Sequence, residues 1–198
     1  MVTFLNNNNE EPYKKFRKKY NDALLSNQEF IEAIAISSYS KKSQEVDSRF
    51  VNLKFVNSKE FIFFSNYDSP KSTQFNSHNQ ISAVIFWNKT NVQIRIKANI
   101  IKVATDYSSN YFKKRSIYKN ALSISSNQSK EISSYEDVIS NYQKALDEQK
   151  LNICPTYWGG YSFIPYYFEF WEGNDKRINK REAYSLHKNI WNKTFLQP

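Results

Sequence analysis

Glycine is nearly missing from this chain: its 198 residues contain three, Gly159, Gly160 and Gly173. A chain so poor in glycine keeps it where the backbone needs a positive φ or the close approach of another group. The segments Trp158-Gly159-Gly160-Tyr161 and Glu169-Phe170-Trp171-Glu172-Gly173 therefore mark tight geometry. Cysteine is rarer still. The single Cys154 excludes an intramolecular disulfide and fits a reducing, cytoplasmic compartment. With only His78 and His187, a His/Cys metal site is not expected. No apolar run approaches transmembrane length and the first residues lack a signal-peptide core, so a soluble protein without a membrane partner is expected. G-x-S-x-G and H-E-x-x-H are absent, and Cys154, before Pro155, reads as a small buried residue. An enzyme with this sequence would draw its chemistry from a cofactor.

What is present is aromatic and basic. Aromatics make up 17% of the chain, too many for a disordered protein, and the net charge is +9. That excess permits nucleic acid, an anionic membrane surface or small phosphorylated ligands as partners. The lysines are scattered, with pairs at Lys14-Lys15, Lys18-Lys19 and Lys113-Lys114 but no stripe, which argues against a nucleic-acid-binding module. Arginine supplies only six of the 28 basic residues: Arg17, Arg49, Arg95, Arg115, Arg177 and Arg181. In a chain that meets its need for charge with lysine, each arginine is a candidate for planar, two-pronged recognition of an anion.

Residues 1–11 read as a flexible polar arm and 12–198 as a single domain. Tyr13, Phe16, Tyr20 and Leu24 recur at helical spacing. Phe30 to Ser37 suggests a strand, and Ser48–Val56 with Glu60–Ser65 a hairpin through Asn57-Ser58-Lys59. Ser69 and Pro70 match a helix start. Ile81 to Trp87 and the alternating Val92 to Val103 form a second hairpin, 106–119 and 135–150 are helical in pattern, and strands follow from Phe163. Five or six strands with outlying helices give an α+β fold built on an antiparallel barrel or sandwich.

Two constellations suit a flat anionic ligand. If 177–181 is a strand, Arg177, Asn179 and Arg181 share one face at intervals of roughly 7 Å. The segment Ser65 to Lys71, at a helix start, offers hydroxyls, orphan N–H groups and one ammonium for a phosphate.

Taken in order, these segments resemble the pyridoxamine 5′-phosphate oxidase family of FMN enzymes, over about residues 12–198. The resemblance rests on WGGY, EFWEG, Arg177-x-x-x-Arg181 and the closing Phe195-Leu196-Gln197-Pro198. To these it adds Arg49-x-x-x-x-Lys54, Phe64-Ser65-Asn66 with Ser69 and Lys71, Gln93-Ile-Arg95 and Gln128-Ser129. It implies an antiparallel split β-barrel with peripheral helices, forming a homodimer with FMN between the subunits. The implied reaction oxidises pyridoxamine or pyridoxine 5′-phosphate to pyridoxal 5′-phosphate by hydride transfer to the flavin, with O2 as acceptor and H2O2 as product. By the same resemblance, Arg49, Lys54, Phe64, Ser65, Ser69, Lys71, Gln93, Gln128, Ser129, Trp171 and Arg181 would contact FMN. Lys54, Tyr111, Arg115, Lys119, Arg177 and Asn179 would contact a phosphorylated pyridine substrate, with Arg177 and Asn179 in the catalytic positions.

Three positions depart from the family pattern: Asn179 stands where it has the active-site His, Pro70 where it has an Arg, and Lys119 where it has a substrate-phosphate Ser. A different small ring compound as substrate is the alternative these changes suggest. Arg49 and Lys54 are an odd number of residues apart, so one regular strand would send them to opposite faces.

Overall fold

Ten strands form one sheet, flanked by five α-helices, in a computed structural model that describes residues 1–148 and 150–198. In chain order these are β1 (Thr3–Leu5), α1 (Glu11–Leu25), β2 (Ala33–Ser40), β3 (Glu45–Asn52), β4 (Phe55–Asn57), β5 (Glu60–Asn66), α2 (Pro70–Ser77), β6 (Gln80–Trp87) and β7 (Val92–Lys102). Then come α3 (Thr105–Lys113), α4 (Ile117–Ser125), α5 (Tyr135–Glu148), β8 (Trp158–Glu172), β9 (Lys180–His187) and β10 (Ile190–Leu196).

The sheet runs β1-β4-β5-β8-β7-β6-β2-β3, with β9 and β10 branching from β8. Every pairing is antiparallel except β1 with β4, and among the described residues the ladder does not close on itself. The fold is therefore α+β with a mixed, open sheet, not the wholly antiparallel barrel expected. It also has more strands than the five or six read from the sequence.

α1 works as the spacing predicts. Tyr13, Phe16, Tyr20 and Ala23 are buried, with Phe16 edge-on to Phe61 and Tyr20 edge-on to Trp87. Leu24, expected on the same face, lies exposed at the helix end. The first residues are not a free arm: Val2 is buried and donates its N–H to Tyr20 Oη at 2.8 Å, and Thr3–Leu5 pair with Phe55–Asn57.

The Ser48–Val56 segment is not one strand. Leu53 and Lys54 interrupt it, sending β3 to pair with β2 and leaving only β4 to form a hairpin with β5. That break removes the parity conflict between Arg49 and Lys54, which lie on different strand segments. The long helix expected over 106–119 is two, α3 and α4, with a turn at Arg115.

β8 organises the sheet. Its first half pairs with β5, its second half with β9, and β7 lies along its other edge from Tyr161 to Glu172. Lys97 pairs with Tyr167 and Ala98 with Pro165, so Tyr166 is an extra residue, a bulge. The bulge flips side-chain parity: Tyr161 and Phe163 face the core before it, Phe168 and Phe170 after it.

Candidate active-site cleft

A cleft of about 480 Å³ opens where β5 and β8 meet α3 and α4. Its wall is aromatic. Phe64 is stacked on Tyr111 with ring centroids 4.0 Å apart and on Trp158 at 5.2 Å, while Phe55 sits edge-on to both Phe64 and Tyr111. Glycine makes this wall possible. A Cβ on Gly160 would meet Val103 Cγ2 at 2.6 Å and Phe64 Cε1 at 3.0 Å, so the phenyl ring could not lie flat against β8. None of the three glycines has a positive φ; close approach alone explains them.

The polar lining is cationic. Lys54, Lys71, Lys114, Arg115 and Lys119 border the cleft, and among the described residues none that line it is acidic. Lys71, buried in the first turn of α2, donates to Ser69 Oγ at 2.8 Å and Gln128 Oε1 at 3.0 Å. Ser65 Oγ donates to the same Gln128 oxygen at 3.3 Å. Among the described residues no carboxylate lies within ion-pair distance of Lys71. Burial, with the charge of Arg49 added, lowers its pKa to about 8. Ser69 does stand at the N-cap of α2, but its hydroxyl donates to Asn66 O at 2.8 Å and makes no capping bond.

Arg115 lies over Trp158, 4.4 Å from the ring centroid, and burial lowers its pKa. Its guanidinium donates to Ser123 Oγ at 3.2 Å and Lys119 O at 3.3 Å. Burial also lowers the pKa of Lys54; Glu32, at 3.9 Å, works against this, and Lys119 and Arg115 reinforce it. Arg49 sits beside the cleft, donating to Ser38 Oγ at 2.6 Å and Gln74 Oε1 at 2.9 Å.

Of the residues expected in a ligand site, Lys54, Phe64, Ser65, Lys71, Tyr111, Arg115, Lys119 and Gln128 thus converge on one cleft, with Arg49 and Ser69 behind it. Ser129 is held in the left-handed region and borders a separate cavity of about 220 Å³.

The remaining residues lie elsewhere. Gln93, Trp171 and Arg181 form a cross-strand row over β7, β8 and β9. Trp158 in the cleft and Trp171 in the row are near opposite ends of β8, roughly 40 Å apart along a straight strand.

Residues 177–179 are not a strand. Arg177 has a φ of 59°, β9 starts at Lys180, and so Arg177, Asn179 and Arg181 share no strand face. Asn179 accepts the Asn174 N–H at 3.1 Å, which ties the β8–β9 loop together.

Glu169, which has no role in the sequence reading, is buried between two arginines. It accepts from Arg181 Nε at 3.0 Å, and Arg95 lies 2.8 Å away on its other oxygen. Trp158 was also unassigned; its place beside two glycines was the available signal.

Comparison with known proteins decides the family. Over 192 residues the chain is 35% identical to pyridoxine/pyridoxamine 5′-phosphate oxidase 1 of Hydrogenovibrio crunogenus, covering 95% of this chain and 88% of that protein. The chain belongs to the pyridoxine/pyridoxamine 5′-phosphate oxidase family. It is 31% identical to the pyridoxine/pyridoxamine 5′-phosphate oxidase of Legionella pneumophila strain Lens over 191 residues, with 95% and 88% coverage. Residues 158–198, β8 to the end of the sequence, match the family's pyridoxine 5′-phosphate oxidase C-terminal dimerisation region.

Two solved structures share the fold of this oxidase-family chain. PhzG from Burkholderia lata 383, in complex with tetrahydrophenazine-1-carboxylic acid, superposes with a TM-score of 0.87 at 23% identity, covering 95% of this chain and 93% of that one. A pyridoxamine 5′-phosphate oxidase-related, FMN binding protein from Nostoc punctiforme superposes with a TM-score of 0.76 at 12% identity, covering 92% and 97%.

Proposed function

We propose that this member of an oxidoreductase family is an FMN-dependent oxidase that converts pyridoxamine or pyridoxine 5′-phosphate to pyridoxal 5′-phosphate, with O2 as acceptor and H2O2 as product. The observation that carries the reading is the cleft: an aromatic wall facing a set of cations, with no acidic residue in the lining among the described residues. The residues present fit a flat, phosphorylated cofactor. Lys71 is a buried ammonium with no carboxylate within ion-pair distance among the described residues, at the start of a helix, the end whose dipole favours an anion. Lys71, Ser65, Ser69 and Gln128 would hold the flavin phosphate, with Arg49 supplying a second charge.

Bound there, the flavin would supply the hydride acceptor that no side chain of this protein provides. The chain's own part is positioning and charge complementarity. Lys54, Tyr111 and Arg115 would fix the substrate phosphate, and Trp158 keeps the Arg115 guanidinium in place from below. Arg177 and Asn179, on the β8–β9 loop at the far end of β8, would reach the pyridine ring only from a second copy.

We further propose a homodimer. The cleft residues and the Gln93–Trp171–Arg181 row lie near opposite ends of β8, too far apart for one small cofactor within one chain. A second copy would bring its row to the first copy's cleft.

The test is the visible spectrum of the purified protein, with and without added FMN, followed by a peroxide assay with both B6 phosphates. Flavin uptake and peroxide formation are expected. Failure to take up FMN would sink the reading. Bound flavin without turnover would favour a second reading, a flavin oxidoreductase for another small ring compound. The use of Asn179 as a loop tie, where the family pattern has a proton-carrying His, is the observation that favours it.

A further inference from the structure

We infer that Glu169 is a positioning residue: it fixes Arg181 so that the guanidinium meets the flavin in a set pose, even though this keeps a negative charge beside an anionic cofactor. The inference rests on the reading of Arg181 as a flavin contact in the proposed dimer, and adds to it the residue through which that contact is ordered.

Tyr167, Glu169 and Trp171 alternate on β8 with the core residues Phe168 and Phe170, so they lie on the sheet face away from the core. Arg95 of β7 pairs with Glu169, and Arg181 of β9 pairs with Trp171. The Glu169 side chain is 2% exposed, against 25% for Arg181 and 43% for Arg95, so the two arginines lie over the carboxylate. Its capacity to accept is full. Oε1 takes Arg181 Nε at 3.0 Å and Nη2 at 2.8 Å, and Oε2 takes Arg95 Nη1 at 2.8 Å and the Tyr167 hydroxyl at 3.0 Å. Four donors use the lone-pair sites of a carboxylate, so Glu169 acts on a ligand only through its partners.

Arg181 is the partner with donors to spare. A guanidinium carries five N–H groups. Glu169 engages two of them, and the Gln197 carbonyl accepts a third from Nη1 at 2.8 Å. One N–H on each terminal nitrogen has no protein partner among the described residues, and Glu169 fixes the plane of that fork. Burial would raise the pKa of Glu169, but the bonds from Arg181 and Tyr167 and the charge of Arg95 outweigh it and lower the pKa, so the carboxylate stays ionised.

Backbone pairing already joins β7, β8 and β9, which do not need this ion pair to hold them. Charge and positioning predict opposite signs. By charge alone, removing the carboxylate should tighten FMN binding, because FMN is an anion. If Glu169 positions Arg181, removing it leaves the arginine charged but unordered, and ordering it on binding costs affinity.

The experiment measures FMN affinity by flavin fluorescence quenching, together with Tm, for wild type, Glu169→Gln, Glu169→Asp, Arg181→Ala and the double variant Glu169→Gln/Arg181→Ala. Glu169→Gln is expected to raise the Kd about tenfold, within the range of coupling between residues in contact. Glu169→Asp, which keeps the charge but draws it back by a methylene, should raise it by a smaller factor. The double variant should bind FMN no more weakly than Arg181→Ala alone. A merely structural role would lower Tm and leave the affinity of the folded protein unchanged. Without any flavin, the Arg181 Nε–H signal in a heteronuclear NMR spectrum, assigned by its loss in Arg181→Ala, should exchange slowly with water in wild type and fast in both Glu169 variants.

Unchanged or tighter FMN binding in Glu169→Gln, or full additivity with Arg181→Ala, would overturn the inference. If Glu169→Gln does not fold, Glu169→Asp carries the same comparison, alone and with Arg181→Ala. If wild type takes up no FMN, the flavin reading falls by itself, and the Nε–H signal decides the role of Glu169: equal exchange in wild type and Glu169→Asp overturns it.

Discussion

Lys71 shows how one residue's surroundings set what a site can bind. A lysine on the surface would be charged at any ordinary pH, but burial and the neighbouring Arg49 bring this one to about 8. An anion bound beside it needs the protonated form, so the sign follows directly: affinity is full below the pKa of the free protein and falls as pH rises through it. FMN affinity, measured by flavin fluorescence quenching, should be level between pH 6.5 and 7.5 and should fall roughly tenfold per pH unit well above pH 8. Lys71→Met should weaken binding about 10- to 100-fold at pH 7, the scale of one charge-assisted hydrogen bond, and should abolish the alkaline limb. A limb that survives in Lys71→Met would assign the titration to another group. The identity of this lysine was legible in the sequence through its place after Ser69-Pro70. Its altered pKa was not, because burial and the proximity of Arg49 arise from packing between α2 and β3. Glu169 was illegible for the same reason: its partners Arg95 and Arg181 come from strands on either side of β8.

At the level of elements, periodicity found α1 and β7, strand-forming composition found β5 and β6, and the Ser69-Pro70 start signal found α2. These signals failed where a tertiary contact cuts a run of strand-forming residues, as at Leu53-Lys54. There the Leu53 N–H turns aside to Glu32 O at 2.9 Å and the Lys54 N–H to Ile62 O at 2.8 Å. The sequence drew attention to glycine but left two reasons open, positive φ or close approach. Left-handed turns in this chain are made by residues such as Asn27, Asn91 and Asn189, which tolerate that conformation better than other L-residues, and so the glycines are spared for contact. Gly160 is the clearest case, since its N–H is also bound by Ser108 Oγ at 3.0 Å and it cannot withdraw from Phe64 and Val103. Gly160→Ala should overpack the junction of β5, β8 and α3 and destabilise the protein by about 1–3 kcal/mol. For a domain of this size that is a fall in Tm of several degrees, at about 2–4 °C per kcal/mol. Thermal unfolding followed by circular dichroism checks it; an unchanged Tm would mean that the wall of the cleft yields more easily than its packing implies.

For the whole molecule, the arrangement of β8 matters most. It carries Trp158 in the cleft at one end and Trp171, beside Gln93 and Arg181, at the other, so the chain holds two parts of what the sequence read as one site. Sequence order does not reveal this division, because it carries no mark of which end of a long strand a residue occupies; in the dimer proposed above, a second copy would join the two parts. A closed dimer places the same patch of each subunit against the other, so a site shared across it is formed twice. This arrangement is testable by complementation. Lys71→Met damages the cleft and Arg181→Ala damages the row, and each variant alone should be largely flavin-free and inactive at FMN concentrations that saturate only the wild type. Co-expressed with two different affinity tags, they should form mixed dimers in which one shared site carries both lesions and the other carries neither. Dimers purified through both tags should recover about half of the wild-type flavin content and turnover. If each chain instead built its site from its own cleft and its own row, every site in the mixture would carry one lesion. Recovery would then be absent, as it would be for a monomer, which could not be isolated through both tags at all.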